Sequence, residues 1–387
     1  MFNYLVVGCG YAGAVIARLA AEEGNQVLVI DRRKTIAGNM YDEFNDSGIL
    51  VHKYGPHISV MNEKKVYDFL SRFTEWVPYE HRVNAEIDGK EVPLPINFTS
   101  IDCLFEEEKA HYLKKILCDE YGEGNNVPIL EMRKSSNLDI REFAAYIFEK
   151  VFLHYTEKMW GLSPDEISPT VTGRVPVRLS YDDRHFTHKY QVMPKNGFTK
   201  LFFNMLNHEN IKVQLETEAT EVIKLDLEKK KIYFNDKLFK GKVVYTGALD
   251  ELMGYEYGVL PYRSLKIVEE TYQINYIQNT PVLNWPDTRK ETRRTEMKRL
   301  TQQEKEGVTT TLVEIPGAYD KSSENFSEPY YPIVEEHCMQ MYEKYRKTMN
   351  EFPNFCSVGR LADYKYYNME ATIVRAMEVY ECELRKV

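Results

Sequence analysis

Apolar and polar positions along the chain change period from one segment to the next. An apolar run at 3–8, helical spacing from 11 to 21 and a second apolar run at 26–30 predict strand, helix and strand, a βαβ unit. Residues 98–162 carry long charged stretches with helical period. There Ile140, Ala144, Ile147 and Val151 share one face, and Asn137 stands where an N-cap belongs, which predicts a helical insertion. Strand character returns at 212–223, 231–234 and 242–246, with further β-like runs at 260–280 and 308–315. Residues 355–359 read as a strand and 369–384 as a helix, a pair that can rejoin the N-terminal sheet. The elements alternate between domains, without an internal repeat or a low-complexity tract.

Composition narrows the class. A chain of 387 residues with 43% hydrophobic and 28% charged positions has room for two or three domains and a large core, and it does not read as disordered. Lys plus Arg is 50 against Asp plus Glu 59, and the net charge of −9 argues against general nucleic-acid binding. Cys9, Cys103, Cys118, Cys338, Cys356 and Cys382 show no CxxC spacing, so they read as reduced thiols rather than zinc ligands or a disulfide framework. No signal-peptide pattern opens the chain, and no apolar run approaches the roughly 18 residues of a membrane span. The expected location is the cytoplasm. The 28 tyrosines fit either a polar cleft or a strand-rich surface.

Four motifs carry candidate chemistry. Gly8-Cys-Gly10-Tyr-Ala-Gly13 lies between the first strand and helix, with Asp31 ending the second strand. Glycines there allow a tight turn and close approach to a pyrophosphate, the helix N-terminus favours its charge, and Asp31 can hold a ribose hydroxyl. Arg32-Arg33 and Ile36-Ala37-Gly38-Asn39 follow in the manner of the extended FAD fingerprint, so FAD is expected over NAD. In the second motif a Gly55-Pro56 turn presents His57, either as a satisfied turn histidine or as a site residue. Trp160-Gly161, a Pro/Ser/Thr segment and Arg174 have the form of a mobile loop with an anion clamp, or equally of a solvated linker. Last, Gly359-Arg360 and the stretch 364–369 open the final helix, where backbone amides could meet a flavin's anionic edge or simply cap the helix.

In chain order, that glycine loop, HKYGPHI (52–58), YTEKMWG (155–161), GRVPVR (173–178), YTGALDELMGYEYG (245–258), YRSLK (262–266), PYYPI (329–333) and GRLADYKYYNM (359–369) resemble the bacterial UDP-galactopyranose mutase family over nearly the full length. The resemblance implies an α/β fold in three parts. These are a discontinuous FAD-binding Rossmann-like domain (1–75, 195–250 and 350–387), a helical domain with the mobile loop (98–175), and an antiparallel β-sheet domain for substrate (76–97, 176–194 and 251–349). It implies an isomerase of cell-surface polysaccharide biosynthesis that interconverts UDP-galactopyranose and UDP-galactofuranose through a covalent flavin N5–sugar adduct, with no net redox change. It also implies reduced FAD as the active cofactor, a UDP-sugar substrate, a homodimer, and neither a metal nor a nucleic-acid partner.

Carried over by position, Arg174 and Arg293 resemble the two diphosphate-binding arginines, and Tyr366 a further diphosphate contact. Trp160 and Tyr155 resemble the sugar-nucleotide wall and hydroxyl donor, and His57 and Arg360 resemble residues close to the flavin. The expected cofactor set is Gly8, Gly10, Gly13, Asp31, Arg32, Gly38, Asn39, His57, Val222, Arg360, Asn368 and Met369. The chain departs from the family's pattern at four positions. Val60 replaces a second histidine, His185 a uracil-stacking tyrosine, Ile315 a phosphate-binding tyrosine, and Asn368 an aspartate near the diphosphate. These changes keep open the same chemistry on another UDP- or TDP-sugar, N-acetylated or deoxy. An FAD-dependent oxidoreductase and a non-catalytic flavin protein are the readings from other classes.

Overall fold

The computed structural model describes residues 2–161 and 176–385. Five parallel strands form one sheet in the order Ile211–Gln214, Val27–Ile30, Tyr4–Val7, Lys242–Tyr245 and Phe355–Ser357. Side chains alternate across the first strand. Tyr4 and Val6 enter a core with helices Tyr11–Glu22, Phe198–Leu206 and Met369–Val379, while Leu5 and Val7 enter a second core with helix Glu336–Met349. Strands that are apolar throughout suit a parallel sheet covered on both faces. Strand order reverses at Tyr4–Val7, so Gly8, at its carboxyl end, opens onto the crevice where such sheets take ligands.

The run 212–223 is not one strand. Pairing stops at Gln214, Glu216 takes a φ of +51°, and the Thr217 N–H donates to the Asp31 carbonyl at 2.9 Å. A short helix Ala219–Val222 and a new strand Ile223–Asp226 follow, because the chain must fold back over the end of the Asp31 strand. The run 260–280 likewise shortens to Tyr262–Tyr272. Helix Glu336–Met349, read from sequence as part of the sheet domain, instead packs under the parallel sheet. Its buried stripe Cys338, Tyr342, Tyr345, Met349 has the spacing of one helical face.

A seven-stranded sheet runs Tyr331–Pro332, Tyr262–Tyr272, Thr309–Ala318, Arg293–Glu296, Val282–Asn284, Val83–Ile87 and Lys90–Leu94. All its pairs are antiparallel except Val282–Asn284 with Val83–Ile87. The helical segment docks on the Val83–Leu94 edge through a core that includes Ile101, Leu113, Leu117, Phe143 and Ile147. Asn137 caps helix Leu138–Ile147 by accepting the Asp139 N–H at 2.9 Å. A π-helical turn, Phe148–Leu153, joins it to helix His154–Trp160. Among the described residues no helix is long and apolar enough to cross a membrane.

Candidate active site

The glycine loop divides its labour. A Cβ at Gly8, where φ is +105°, would lie 2.1 Å from Thr246 Oγ1, and a Cβ at Gly13 would lie 2.0 Å from the Gly8 carbonyl oxygen. These two glycines let loop, helix and neighbouring strand approach one another. Gly10 meets nothing within 4 Å, so its backbone fronts open space at the N-terminus of helix Tyr11–Glu22. Asp31 is 8% exposed; its Oδ2 accepts the Cys9 N–H at 2.7 Å and its Oδ1 the Arg33 N–H at 2.9 Å. Arg32 and Arg33 both pair with Glu328 at 2.6 Å, and Arg33 also donates to Asn39 Oδ1 at 2.9 Å. The loop opens into a cleft of ≈ 1130 Å³ between the parallel sheet, the seven-stranded sheet and helix His154–Trp160.

The cleft brings together Gly8, Gly10, Asp31, Arg32, Gly38, Asn39, His57, Val60, Tyr155, His185, Arg293, Arg360, Tyr366, Asn368 and Met369. Gly13 stands behind the loop, where its task is packing. Val222 is a correction: it does not line the cleft but packs, partly buried, against the core around Leu5 and Val7. The turn at the end of 212–223 presents Thr217, Glu218 and Ala219 there instead. Ile315 is a second correction. It lies opposite Lys266 in the long hairpin and does not line the cleft, because its neighbour Glu314 faces Arg293 and successive strand residues point to opposite faces. Arg174 and the Trp160 side chain lie outside the described residues.

Arg293 sits directly across the sheet from Glu314, and its Nε donates to Glu314 Oε1 at 2.7 Å. Burial works against the guanidinium charge, but the Glu314 carboxylate outweighs it and holds the pKa above the ordinary value. His57 is pushed well below the usual histidine range by burial, and by His52, Arg360 and Arg293 around it. Its N–H donates to His52 Nδ1 at 3.1 Å, while its own Nδ1 is buried without a partner among the described residues. Arg360 is held by backbone carbonyls, those of Tyr367 (3.1 and 2.6 Å) and Tyr330 (3.1 Å). Asn368 caps the last helix by accepting the Ala371 N–H at 2.8 Å. Burial raises the Tyr155 pKa, so the phenol stays protonated.

Helix His154–Trp160 is fixed from two sides. Arg263 donates to the Met159 and Lys158 carbonyls at 2.8 and 2.9 Å, and Lys158 Nζ donates to the Trp285 and Glu291 carbonyls at 2.6 and 2.9 Å. Among the cleft residues that sequence reasoning missed are Tyr331 and His81. Tyr331 stacks on Tyr366 with centroids 5.8 Å apart, and the Arg360 guanidinium lies 5.2 Å from its ring. The PYYPI motif was the available signal for Tyr331; nothing in the spacing around His81 marks it.

The profile of the family described as UDP-galactopyranose mutase matches residues 150–366, and that of an NAD(P)-binding Rossmann-like domain matches residues 6–73. The chain is 32% identical over 380 residues to "UDP-galactopyranose mutase" of Mycoplasma pneumoniae, covering 97% of this chain and 94% of the relative. It is 32% identical over 381 residues to "dTDP-fucopyranose mutase" of Escherichia coli, covering 98% and 97%. The fold superimposes on the crystal structure of a reduced UDP-galactopyranose mutase with a TM-score of 0.73 at 16% identity, over 100% of this chain and 97% of that one.

Proposed function

The chain belongs to the UDP-galactopyranose mutase family, and from that premise we propose that it interconverts UDP-galactopyranose and UDP-galactofuranose with reduced FAD as its cofactor. The observation that carries this reading is Arg293, a cation anchored by the buried Glu314 in the same cleft as the dinucleotide-type glycine loop. The residues present fit FAD. Gly10 leaves room for a pyrophosphate, Asp31 faces the cleft with spare lone pairs for a ribose, and the orphaned, buried Nδ1 of His57 awaits a polar edge.

When bound and reduced, FAD supplies a nucleophilic nitrogen and an electron pair that is returned at the end of the cycle, so no reductant is consumed. The chain's own groups do the rest. Gly8, Gly10, Gly38, Asn39, Asp31 and Arg32 would hold the dinucleotide half, with Gly13 packing the loop, and His57, Arg360 and Met369 would meet the ring end. Arg293, with Arg174, binds the diphosphate and balances the charge that grows on it as the anomeric C–O bond breaks. Tyr155, Tyr366 and His185, which line the cleft, exclude water from it, and Trp160 joins them by resemblance to the family alone. The same reading carries a homodimer in the cytoplasm.

A second reading, a dTDP-sugar mutase, is favoured by the similarity to the Escherichia coli protein of that name and by the changes at Val60, His185 and Asn368. Dithionite-reduced protein incubated with UDP-galactofuranose, UDP-galactopyranose and dTDP-fucopyranose, with chromatographic separation of products, tests both. Furanose–pyranose conversion that needs reduction yet consumes no reducing equivalents is expected. Turnover by the oxidised protein, or stoichiometric loss of reductant, overturns the mutase reading.

A further inference from the structure

Residues Tyr54 to Ile58 line the cleft in unbroken succession, and the turn they form stands on His52, which does not line it. The Gly55 N–H donates to the His52 carbonyl at 3.3 Å and the His57 N–H to its Nδ1 at 3.1 Å, so one residue ties the turn at two points. His52 is 1% exposed and has no task in the reading above. Its ring packs edge to face on Phe198, with centroids 5.5 Å apart, and lies 6.3 Å from the ring of His57.

The tautomer of His52 follows from these partners. A main-chain N–H only donates, so the Nδ1 that receives it carries a bare lone pair. Burial lowers the His52 pKa to about 4, against the pull of Asp42, so the ring is neutral and its hydrogen sits on Nε2. That nitrogen has no hydrogen-bond partner among the described residues. It stands 3.9 Å from Asp42 Oδ2, because Asp42 and His52 face each other in the strand pair Asp42–Phe44 and Leu50–His52. A carboxylate at that distance favours the tautomer with its hydrogen on the near nitrogen. Asp42 is itself fixed. Its Oδ2 accepts the Phe198 N–H at 2.6 Å and its Oδ1 the Thr199 N–H at 2.8 Å, in the first turn of helix Phe198–Leu206. A Cβ at Gly197 would lie 2.7 Å from Oδ2, so glycine lets the helix come this close. The helix end sets the carboxylate, the carboxylate sets the tautomer, and the tautomer leaves an acceptor for the backbone of a cleft residue.

We propose that His52 is a positioning residue for the ring end of the cofactor, holding the His57 backbone through Nδ1, with Asp42 fixing the hydrogen on Nε2. This rests on the flavin reading and deepens it. A leucine at this position would fill the same core yet leave the His57 N–H without its acceptor. An asparagine would underfill the core, but its Oδ1 falls near the Nδ1 position and accepts the same hydrogen. Packing and positioning therefore rank these two substitutions in opposite order.

The test compares wild type, His52→Leu, His52→Asn and Asp42→Asn as full chains, with and without flavin. Nitrogen NMR on flavin-free wild type should place the His52 hydrogen on Nε2, and Asp42→Asn should shift the population toward Nδ1. Hydrogen exchange at the His57 amide should quicken about tenfold in His52→Leu and stay close to wild type in His52→Asn. With flavin bound, His52→Leu should alter the visible spectrum and lower kcat for UDP-galactofuranose about tenfold while KM changes less, and His52→Asn should restore most of both. A His52 hydrogen found on Nδ1 in wild type would overturn the proposal. So would amide protection and kcat in His52→Leu that match or exceed those of His52→Asn, since His52 would then serve packing alone. If His52→Leu fails to fold, loss of His57 amide protection in His52→Asn, or an unmoved tautomer in Asp42→Asn, overturns the proposal instead. Wild type that binds no flavin or converts no sugar nucleotide would refute the functional premise, a failure that the flavin-free tautomer and exchange results separate from that of the His52 contact.

Discussion

Arg293 and Glu314 separate two quantities that one substitution would confound. Glu314 is 1% exposed and its partner 30%, with 2.7 Å between Nε and Oε1. At an effective dielectric of about 20, charges that close attract by roughly 6 kcal/mol, and much of this is offset by the cost of burying the carboxylate. Removing one partner of a buried pair costs about 3–5 kcal/mol, and the partly exposed arginine places this pair at about 3. Arg293→Ala should therefore lose stability and, independently, about a hundredfold in rate, since a clamp on developing charge is worth about 3 kcal/mol in the transition state. Adding Glu314→Gln removes the stranded charge. The double variant should regain most of the stability and none of the rate. Arg293→Lys should rescue poorly, because a point charge cannot reproduce the planar fork. Thermal unfolding with flavin retention, UDP binding and furanose-to-pyranose conversion measure the three effects. If Arg293→Ala keeps near-native turnover and UDP affinity, or if Glu314→Gln matches wild type in every assay, the pair is not an anchor for the diphosphate.

The loop glycines should fail in different ways. Gly10→Ala adds a methyl to open space and should give a folded but colourless protein, whereas Gly13→Ala drives a carbon into the Gly8 carbonyl and should lower the unfolding temperature of the apoprotein; equal effects on both readouts would contradict this division. Asp250 is 1% exposed, one carboxylate oxygen accepts the Leu260 N–H at 2.8 Å and the other has no partner among the described residues. Burial raises its pKa to about 6 from 3.8. The folded state thus binds the proton more tightly than the unfolded state, and this contribution, full below about pH 4, is lost as pH rises through 6. Asp250→Asn should raise stability at pH 7.5 by on the order of 2–3 kcal/mol and leave it unchanged near pH 4, as read by denaturant unfolding; a loss at pH 7.5 would sink the argument.

The parts of the fold visible in the sequence are those decided by neighbours in sequence. The βαβ unit announces itself through two apolar runs and a glycine turn, and Asn137 through its place before a helical stripe. The parts that were hidden depend on distant pairing. The run 212–223 looks like one strand because its β character continues past Gln214, but its end is set by the Asp31 carbonyl, almost two hundred residues earlier. Val222 and Ile315 fell outside the cleft for the same reason, since the facing of a strand or turn is fixed by partners that periodicity does not name. His81 was invisible because its neighbours in space, Tyr79 and His185, are set by folding. The glycine loop, Asp31, His57 and Arg360 stood in motifs visible in the sequence, Arg293 was marked only by resemblance to the family, and Gly8, Gly10, Asp31, His57, Arg293 and Arg360 line one cleft.

The parallel sheet is assembled from segments far apart in the sequence, and its outer strand Phe355–Ser357 and the cleft residues Gly359, Arg360 and Met369 are made long after its first strand. The Tyr4 hydroxyl donates to the Leu384 carbonyl at 2.8 Å, and helix Tyr11–Glu22 shares its core with Met369–Val379. On the ribosome, the first strand and its glycine loop emerge without the walls that complete them. The cleft is complete only once the residues up to Thr372 have been made, so a chain that stops short of them lacks part of its wall.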